Sequence, residues 1–299
     1  MSPGPIAVIL NAGAGTAMGR PNIAAELVDL FRAAGHHVEI RTLQPGQDTH
    51  AVIKQASASA AIVVAAGGDG TVCSVASALL GTPAALGILP LGTLNHFARD
   101  LRVPFDLQQA IAVVADGRIG HVDVGMANDR VFVNNSSIGI YPSIVEVREA
   151  LRRQGHRKWP AMAIATLRVL RRYRGVRVSL DIDGRQRTWR TPFVFVGNNE
   201  YTIEGVGLGA RARVDEGKLF VYITPRLRAR ELPLLFAKAL IGRARQSGEF
   251  EIMPATDVWI HTSRLRHVQV AFDGEVTTMQ TPLHFRTHPK ALRVVLPGS

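Results

Sequence analysis

A single cysteine, Cys73, in 299 residues excludes an internal disulfide framework and points to a reducing compartment. It follows a glycine turn on a helical pattern, where it reads as a small buried hydrophobe. No run reaches the ~18 consecutive apolar residues that a membrane-crossing helix needs. The expected location is therefore cytoplasmic, with membrane contact only peripheral. The start, MSPGPIAVILNAGAG, has no basic segment ahead of its apolar residues and reads as a first strand rather than a signal peptide. Aromatic residues make up 6% of the chain and are not interleaved with the basic segments, so a nucleic-acid stacking platform is not expected. The ten histidines show no His-Glu-x-x-His spacing, which speaks against zinc. Acidic residues are scarce beside basic ones: 24 Asp+Glu against 35 Lys+Arg leave +11, and the excess is nearly all arginine. That balance implies an anionic partner, whether nucleotide, nucleic acid or anionic membrane surface. The length and the 46% hydrophobic content suit two domains, or one large one, with a sizeable core.

What is present centres on residues 61–101. Ala61–Ala66 is a short apolar run without polar alternation, the pattern of a buried parallel strand. It enters Gly67-Gly68-Asp69-Gly70-Thr71, and a helical pattern follows over Val72–Leu80. Ala85–Leu89 is a second such run, opening into Pro90-Leu91-Gly92-Thr93-Leu94-Asn95 and another helix start. Twice a strand ends in a glycine turn whose amides lie beside a helix N-terminus, an arrangement that binds phosphate. Asp69 would repel a bare phosphate and implies a cation such as Mg²⁺ between them. Neither turn is a Walker A loop, and neither has the Gly-x-Gly-x-x-Gly spacing.

Upstream, Ile6–Leu10 reads as a strand ending at Asn11-Ala12-Gly13, followed by a helix over Asn22–Ala34, a strand over His37–Thr42 and a helix over Thr49–Ser59. Alternating strands and helices predict a parallel sheet with ligands beyond the carboxyl ends of its strands. Asn11, Gly13, Thr42, Gly67, Gly68, Asp69, Gly70, Thr71, Gly92, Thr93 and Asn95 fall at such ends and are the candidate nucleotide-binding residues. From Gly120 the texture changes to short alternating strands with turn signals between them. They run over His121–Met126, Arg130–Asn135, Val176–Asp183, Thr188–Gly197, Leu219–Thr224, Val258–Ile260, Val268–Asp273 and Leu283–Thr287, and predict an antiparallel sandwich. The expected fold is an α/β N-terminal domain with a parallel sheet, residues 1–120, plus a C-terminal antiparallel β-sandwich domain, residues 121–288.

GGDGT followed about twenty residues on by PLGTLN resembles the diacylglycerol kinase catalytic family, which includes soluble bacterial lipid kinases and sphingosine and ceramide kinases. GGDGT is shared with NAD kinases and 6-phosphofructokinases; the continuation PLGTLNHFARDL narrows the match to the lipid branch. The resemblance covers essentially the whole chain. It implies an ATP- and Mg²⁺-dependent kinase acting on the hydroxyl of a lipid such as diacylglycerol. It also implies a return strand at about 289–299, including Ala291–Leu296, that packs on the nucleotide-binding domain. Two positions depart from the family's usual pattern. Ala12 replaces a proline, and His96 stands where aspartate is more common, changing the charge beside Asp69 and predicting an altered substrate preference.

In the second half, Asp273-Gly274-Glu275 puts two carboxylates at i and i+2 at a strand end. Read alone, this is most simply a hairpin turn. The resemblance implies that Glu275 is the general base for the acceptor hydroxyl, with Asp273 supporting it or the metal. It likewise implies that Asn134–Gly139, read as a polar strand end, lines a cleft between the domains. Arg213-Val-Asp215-Glu216-Gly217-Lys218 resembles a family loop holding a structural Mg²⁺ through a carboxylate, here Glu216 or Asp215, and through the backbone carbonyls of Arg213 and Lys218. A plain surface turn is the other reading.

Between Arg148 and Arg177 there are ten Lys/Arg against one acid, Glu149, and Arg226–Arg245 repeats the theme. Basic helices with an apolar face suit an anionic membrane surface; solvated helix faces are the other reading. Two further functions stay open at this point: an NAD kinase-like small-molecule kinase, and a catalytically silent nucleotide- or lipid-binding regulator. The sequence names neither the lipid nor the oligomeric state, a homodimer included.

Overall fold

The computed structural model describes residues 5–13, 20–154, 164, 176–204, 207–224, 251–262 and 265–298. The basic segment Arg226–Arg245 lies outside the described residues, as do 155–163 and 165–175 of the other basic segment and 14–19 after Gly13. The chain forms two units: Met1–Val124 with Arg213–Glu216 and His288–Ser299, and Gly125–Ala212 with Gly217–Thr287. The division falls at Val124/Gly125, where the sequence reading drew it near residue 120.

The first unit alternates β1 (Ile6–Leu10), α1 (Ile23–Ala33), β2 (Val38–Thr42), α2 (Thr49–Ser57), β3 (Ile62–Gly67), α3 (Asp69–Leu79), β4 (Ala85–Pro90), α4 (His96–Asp100), α5 (Leu107–Asp116) and the start of β5 (Arg118–Ala127). The strands pair in parallel in the order β2-β1-β3-β4. Every residue of β1, β3 and β4 is buried, as expected where helices cover a parallel sheet on both faces. Helix α1 turns Ile23, Leu27 and Phe31 inward, one stripe at i, i+4 and i+8. Asp48 and Asp106 cap α2 and α5, each carboxylate accepting the amide three residues on, at 3.1 and 3.0 Å. Helix α3 starts at Asp69 rather than Val72, because the glycines at 67 and 68 end the strand and Gly68 already serves as N-cap. Asp69 is thus the first helical residue, where a carboxylate is favoured by the helix dipole.

The second unit contains β6 (Arg130–Phe132), β7 (Asn135–Gly139), α6 (Ile140–Arg153), β8 (Val176–Ile182), β9 (Arg185–Thr191), β10 (Phe193–Asn198), β11 (Tyr201–Glu204), β12 (Gly207–Arg211), β13 (Leu219–Ile223), β14 (Glu251–Ala255), β15 (Asp257–Thr262), β16 (His267–Phe272), β17 (Glu275–Gln280) and the start of β18 (Leu283–Leu296). One antiparallel sheet runs β14-β13-β10-β7-β16-β17. A second set pairs β9, β8, β15 and the first residues of β18, also antiparallel. Their inner faces share one core, including Val178, Leu180, Val258, Ile260 and Phe285 from one sheet and Ile138, Val196, Val221, Val270 and Phe272 from the other. This is the expected sandwich. Two local readings change. The single strand expected over Thr188–Gly197 is two, β9 and β10, separated at Pro192, whose ring removes a ladder donor. Asn135–Gly139 is not a strand-end turn but β7, central in its sheet between β10 and β16, with Ser136 and Ser137 buried.

Strand β18 begins in the second unit and finishes in the first, where Val294 pairs in parallel with Leu86 of β4 and Leu292, Val294 and Val295 are buried.

Candidate functional site

In the first unit β3 and β4 are neighbours with Gly67 opposite Pro90, so their terminal turns emerge side by side. They touch. A Cβ on Gly92 would stand 2.4 Å from Gly68 Cα and 2.5 Å from Asn95 Oδ1, and one on Gly67 would stand 2.5 Å from Thr71 Oγ1. Glycine is needed at 92 by the approach of one loop to the other, and at 67 by the Thr71 side chain of its own turn. Asn95, left-handed at φ 49° and buried, closes the second turn: its Oδ1 accepts from Gly92 N at 3.0 Å, and its Nδ2 donates to Pro90 O at 3.2 Å and Gly92 O at 3.0 Å. Leu91 N donates to Gly67 O at 3.0 Å. The Leu91 amide therefore fastens the second turn to the first, while the Gly92 amide is taken up by Asn95 within its own turn. The N-terminus of α3 begins on Gly68, which supplies no side-chain cap.

Asp69 Oδ1 accepts from Phe97 N at 3.3 Å, so the carboxylate of the first turn also ties down α4, which the second turn leads into. Asn11 Nδ2 donates to Thr71 Oγ1 at 3.2 Å, and Gly13 N to Asn11 Oδ1 at 3.2 Å. The structure thus gathers Asn11, Gly13, Gly67–Thr71 and Gly92–Asn95 into one linked set. Thr42 ends β2 beside Leu10. His96 is exposed at the start of α4. A cleft of about 680 Å³ opens past β4, lined by Pro90–Thr93 and Asn95 together with Arg20 and Glu26, which form an ion pair, and the exposed Phe105. Gly67–Thr71, Asn11 and Thr42 do not line it.

Among the described residues no three His, Cys, Asp or Glu side chains cluster to hold a metal. Mg²⁺ usually relies on one or two carboxylates plus substrate phosphates and water rather than on an all-protein cage. Asp69, at the amide-bearing end of α3, fits that arrangement. The Arg213–Glu216 loop is held differently. Arg213 Nε donates to Asp215 Oδ1 at 3.2 Å, and this bond, with the charges of Asp215, Glu216 and Asp123, raises the guanidinium above its ordinary range. The loop is tied to the first unit by Asp123, fully buried, whose N–H donates to Val214 O at 2.8 Å and whose Oδ1 accepts from Lys290 N at 2.8 Å. Lys218 belongs to the second unit. The Arg213 guanidinium thus lies against Asp215, one of the two carboxylates the sequence reading offered for a structural Mg²⁺.

In the second unit Asp273 and Gly274 are the two-residue turn between β16 and β17, at φ 47° and 92°. The Asp273 carboxylate accepts three backbone amides: Val133 N at 2.9 Å, Asn134 N at 2.8 Å and Asn135 N at 3.0 Å. Asp273 N donates back to Asn135 O at 3.0 Å. This carboxylate clamps the β6–β7 connection onto the turn. Glu275 stands clear of the clamp, its side chain 64% exposed, with Arg130 Nη2 at 3.4 Å from Oε2. Asp69 lies in the first unit and Glu275 in the second.

Sequence reasoning missed Arg211. It is buried, donating to Val133 O at 2.7 Å, Asn198 O at 2.8 Å and Asn134 Oδ1 at 3.0 Å, with Tyr201 stacked at 5.5 Å. Nothing local marks it among so many arginines. Asp123 and Arg130 were missed because the partners that mark them, Val214 and Lys290 for one and Glu275 and Phe272 for the other, lie far away in the chain.

Residues 5–127 match the diacylglycerol kinase catalytic domain, and residues 139–296 match the YegS C-terminal NAD kinase beta sandwich-like domain. A probable lipid kinase YegS-like of Cronobacter sakazakii is 29% identical over 279 residues, 90% of each chain. Its counterpart in Pseudomonas aeruginosa strain UCBPP-PA14 is 30% identical over 280 residues, 89% of this chain and 87% of that one. A crystal structure of a diacylglycerol kinase from Bacillus anthracis superposes with a TM-score of 0.71 at 19% identity, covering 98% of this chain and 96% of that one; at that identity it supports the fold alone. Among the described residues no helix is long and apolar enough to cross a membrane. With both halves matched and relatives aligned along nine-tenths of its length, the chain belongs to the diacylglycerol kinase catalytic domain family, as a kinase of the YegS-like lipid kinase group.

Proposed function

We propose that this kinase transfers the γ-phosphate of ATP to the hydroxyl of a lipid such as diacylglycerol, with Glu275 as general base. The observation that carries the reading is the linked pair of turns at the ends of β3 and β4, with Asp69 at the start of α3. The amides at the start of α3 receive phosphate oxygens, favoured by the helix dipole. Asn11 and the Asn95-fastened turn hold that end rigid, so little reorganisation is needed when the nucleotide binds. Asp69 would hold Mg²⁺, whose charge offsets that of the phosphates. Glu275 takes the hydroxyl proton as the lipid oxygen bonds to the γ-phosphorus and the bond to the β-phosphate oxygen breaks, releasing ADP. Asp273 serves the site by fixing the turn that presents Glu275. Asp215 serves the loop as the ion-pair partner of Arg213, and Glu216 adds its negative charge near that guanidinium. His96, in place of a carboxylate, changes the charge beside Asp69 and shifts lipid preference.

Peripheral contact with an anionic lipid surface is supported by how charge divides. The first unit has ten Lys+Arg against eleven Asp+Glu, and the second has 25 against 13, so the chain's +11 resides wholly in the sandwich unit. The deciding experiment measures ATP binding and phosphate transfer to a lipid panel, with NAD as a separate acceptor. Glu275→Gln should keep ATP affinity and lose turnover. Full turnover in that variant would dismiss the assignment, and NAD phosphorylation in preference to every lipid would move the enzyme to another branch.

A further inference from the structure

We infer that Arg130 is a positioning residue that holds Glu275 in the orientation from which it accepts the proton; this rests on Glu275 being the general base. A base must sit within hydrogen-bond reach of the proton it takes. A glutamate side chain 64% exposed, at the first position of an edge strand, has rotamer freedom that works against this. Arg130 supplies the ion pair that restrains it, Nη2 lying 3.4 Å from Oε2.

Arg130 is itself fixed. Its guanidinium lies over the ring of Phe272, centroid distance 5.2 Å, and Phe272 is buried in the sandwich core directly opposite Glu275 in the β16–β17 ladder. At one end of β6, Asn128, left-handed at φ 50°, accepts His284 N through its Oδ1 at 2.8 Å and so anchors the β5–β6 turn. At the other, the amides of Val133, Asn134 and Asn135 are gripped by Asp273, two residues before Glu275. The cation and the carboxylate therefore spring from one clamped piece of backbone. The contact engages Oε2, and Oε1 is the oxygen that takes the proton. At 3.4 Å the pair is longer than a tight charge-assisted bond of about 2.8 Å, so the carboxylate is steered without being consumed. Arginine suits this place because a planar guanidinium can stack on a ring and present a donor edge at the same time, which an ammonium cannot.

The test compares Arg130→Ala, Arg130→Lys and Glu275→Gln in the full chain. Arg130→Ala should lower kcat on the order of tenfold to a hundredfold, the range expected when a reacting group is displaced by about 1 Å. KM for ATP should stay within about twofold, because Arg130 is not assigned to the nucleotide site. Its melting temperature should stay close to wild type, since the pair is exposed. Arg130→Lys should recover part of the loss, and methylguanidinium added to Arg130→Ala should raise kcat. Wild-type kcat in Arg130→Ala while Glu275→Gln is inactive overturns the positioning role and leaves the base intact. A loss that comes with a lowered melting temperature and resists methylguanidinium overturns it too, as a folding effect. Full turnover in Glu275→Gln removes the base, and the inference with it.

Discussion

Asparagine in place of Asp273 preserves shape and tolerates the left-handed backbone at φ 47°, so the change is confined to what the side chain accepts. At present one carboxylate receives three amides at 2.8–3.0 Å. In the variant one oxygen becomes an NH₂, which cannot accept, and the Val133 or the Asn134/Asn135 side of the clamp meets a donor. Hydrogen bonds to a charged group are worth about 1.5–3 kcal/mol and neutral ones about 0.5–1.5 kcal/mol. Losing the Val133 bond outright and weakening the other two by about 1 kcal/mol each gives roughly 3–5 kcal/mol. The residue is only half buried, so solvent screening brings this to about 2–4 kcal/mol. At about 2–4 °C per kcal/mol for a unit of this size, the melting temperature of the sandwich should fall by roughly 4–16 °C. The measurement is thermal and urea unfolding followed by the near-ultraviolet signal, run beside Glu275→Gln, an exposed substitution expected to stay within about 0.5 kcal/mol of wild type. Equal stability of the two variants, with Asp273→Asn merely inactive, would refute the clamp and return Asp273 to the chemistry.

Other expectations follow from the paired turns and the charge division. Gly92→Ala drives a methyl to 2.4 Å from Gly68 Cα, and backbone must give way. The expected destabilisation is about 1–3 kcal/mol with weakened ATP binding, seen by calorimetry, whereas Gly13→Ala, whose Cβ meets only Asn11 Oδ1 at 3.5 Å, should keep its stability. Asn95→Ala strips three hydrogen bonds from a buried turn and should cost about 2–4 kcal/mol by denaturant titration, with Asn95→Asp recovering only the bond from Gly92 N. Binding to vesicles containing phosphatidylglycerol should fall steeply as salt rises from 0.05 to about 0.5 M, and neutral phosphatidylcholine vesicles should bind far less. Salt-insensitive binding to both would contradict an electrostatic contact.

The parallel sheet was legible because β1, β3 and β4 are uninterrupted apolar runs, a pattern that only burial on both faces explains. The two turns at the ends of β3 and β4 were legible as glycine clusters at strand ends. That the glycines serve the contact between loops was not, because contact between separate turns leaves no local pattern. The early start of α3 was hidden by the same glycines, which resemble a turn in sequence. Strand β7 went unread because Asn135, Ser136 and Ser137 are polar yet central, their place set by β10 and β16 on either side. β17 alternates too weakly to register, being an exposed edge. The grouping of Arg213–Glu216 with the first unit depends on Asp123 and Lys290, far away in the chain.

One consequence concerns synthesis. The parallel sheet is nearly all encoded before residue 125, yet the place beside β4 is filled by the end of β18, where Val294 pairs with Leu86. While the ribosome makes the intervening sandwich, an apolar strand margin stands open on the nascent α/β unit, the kind of edge that recruits foreign strands. A chain halted at Thr287 should therefore be insoluble, and a peptide spanning 288–298, supplied in trans, should restore it.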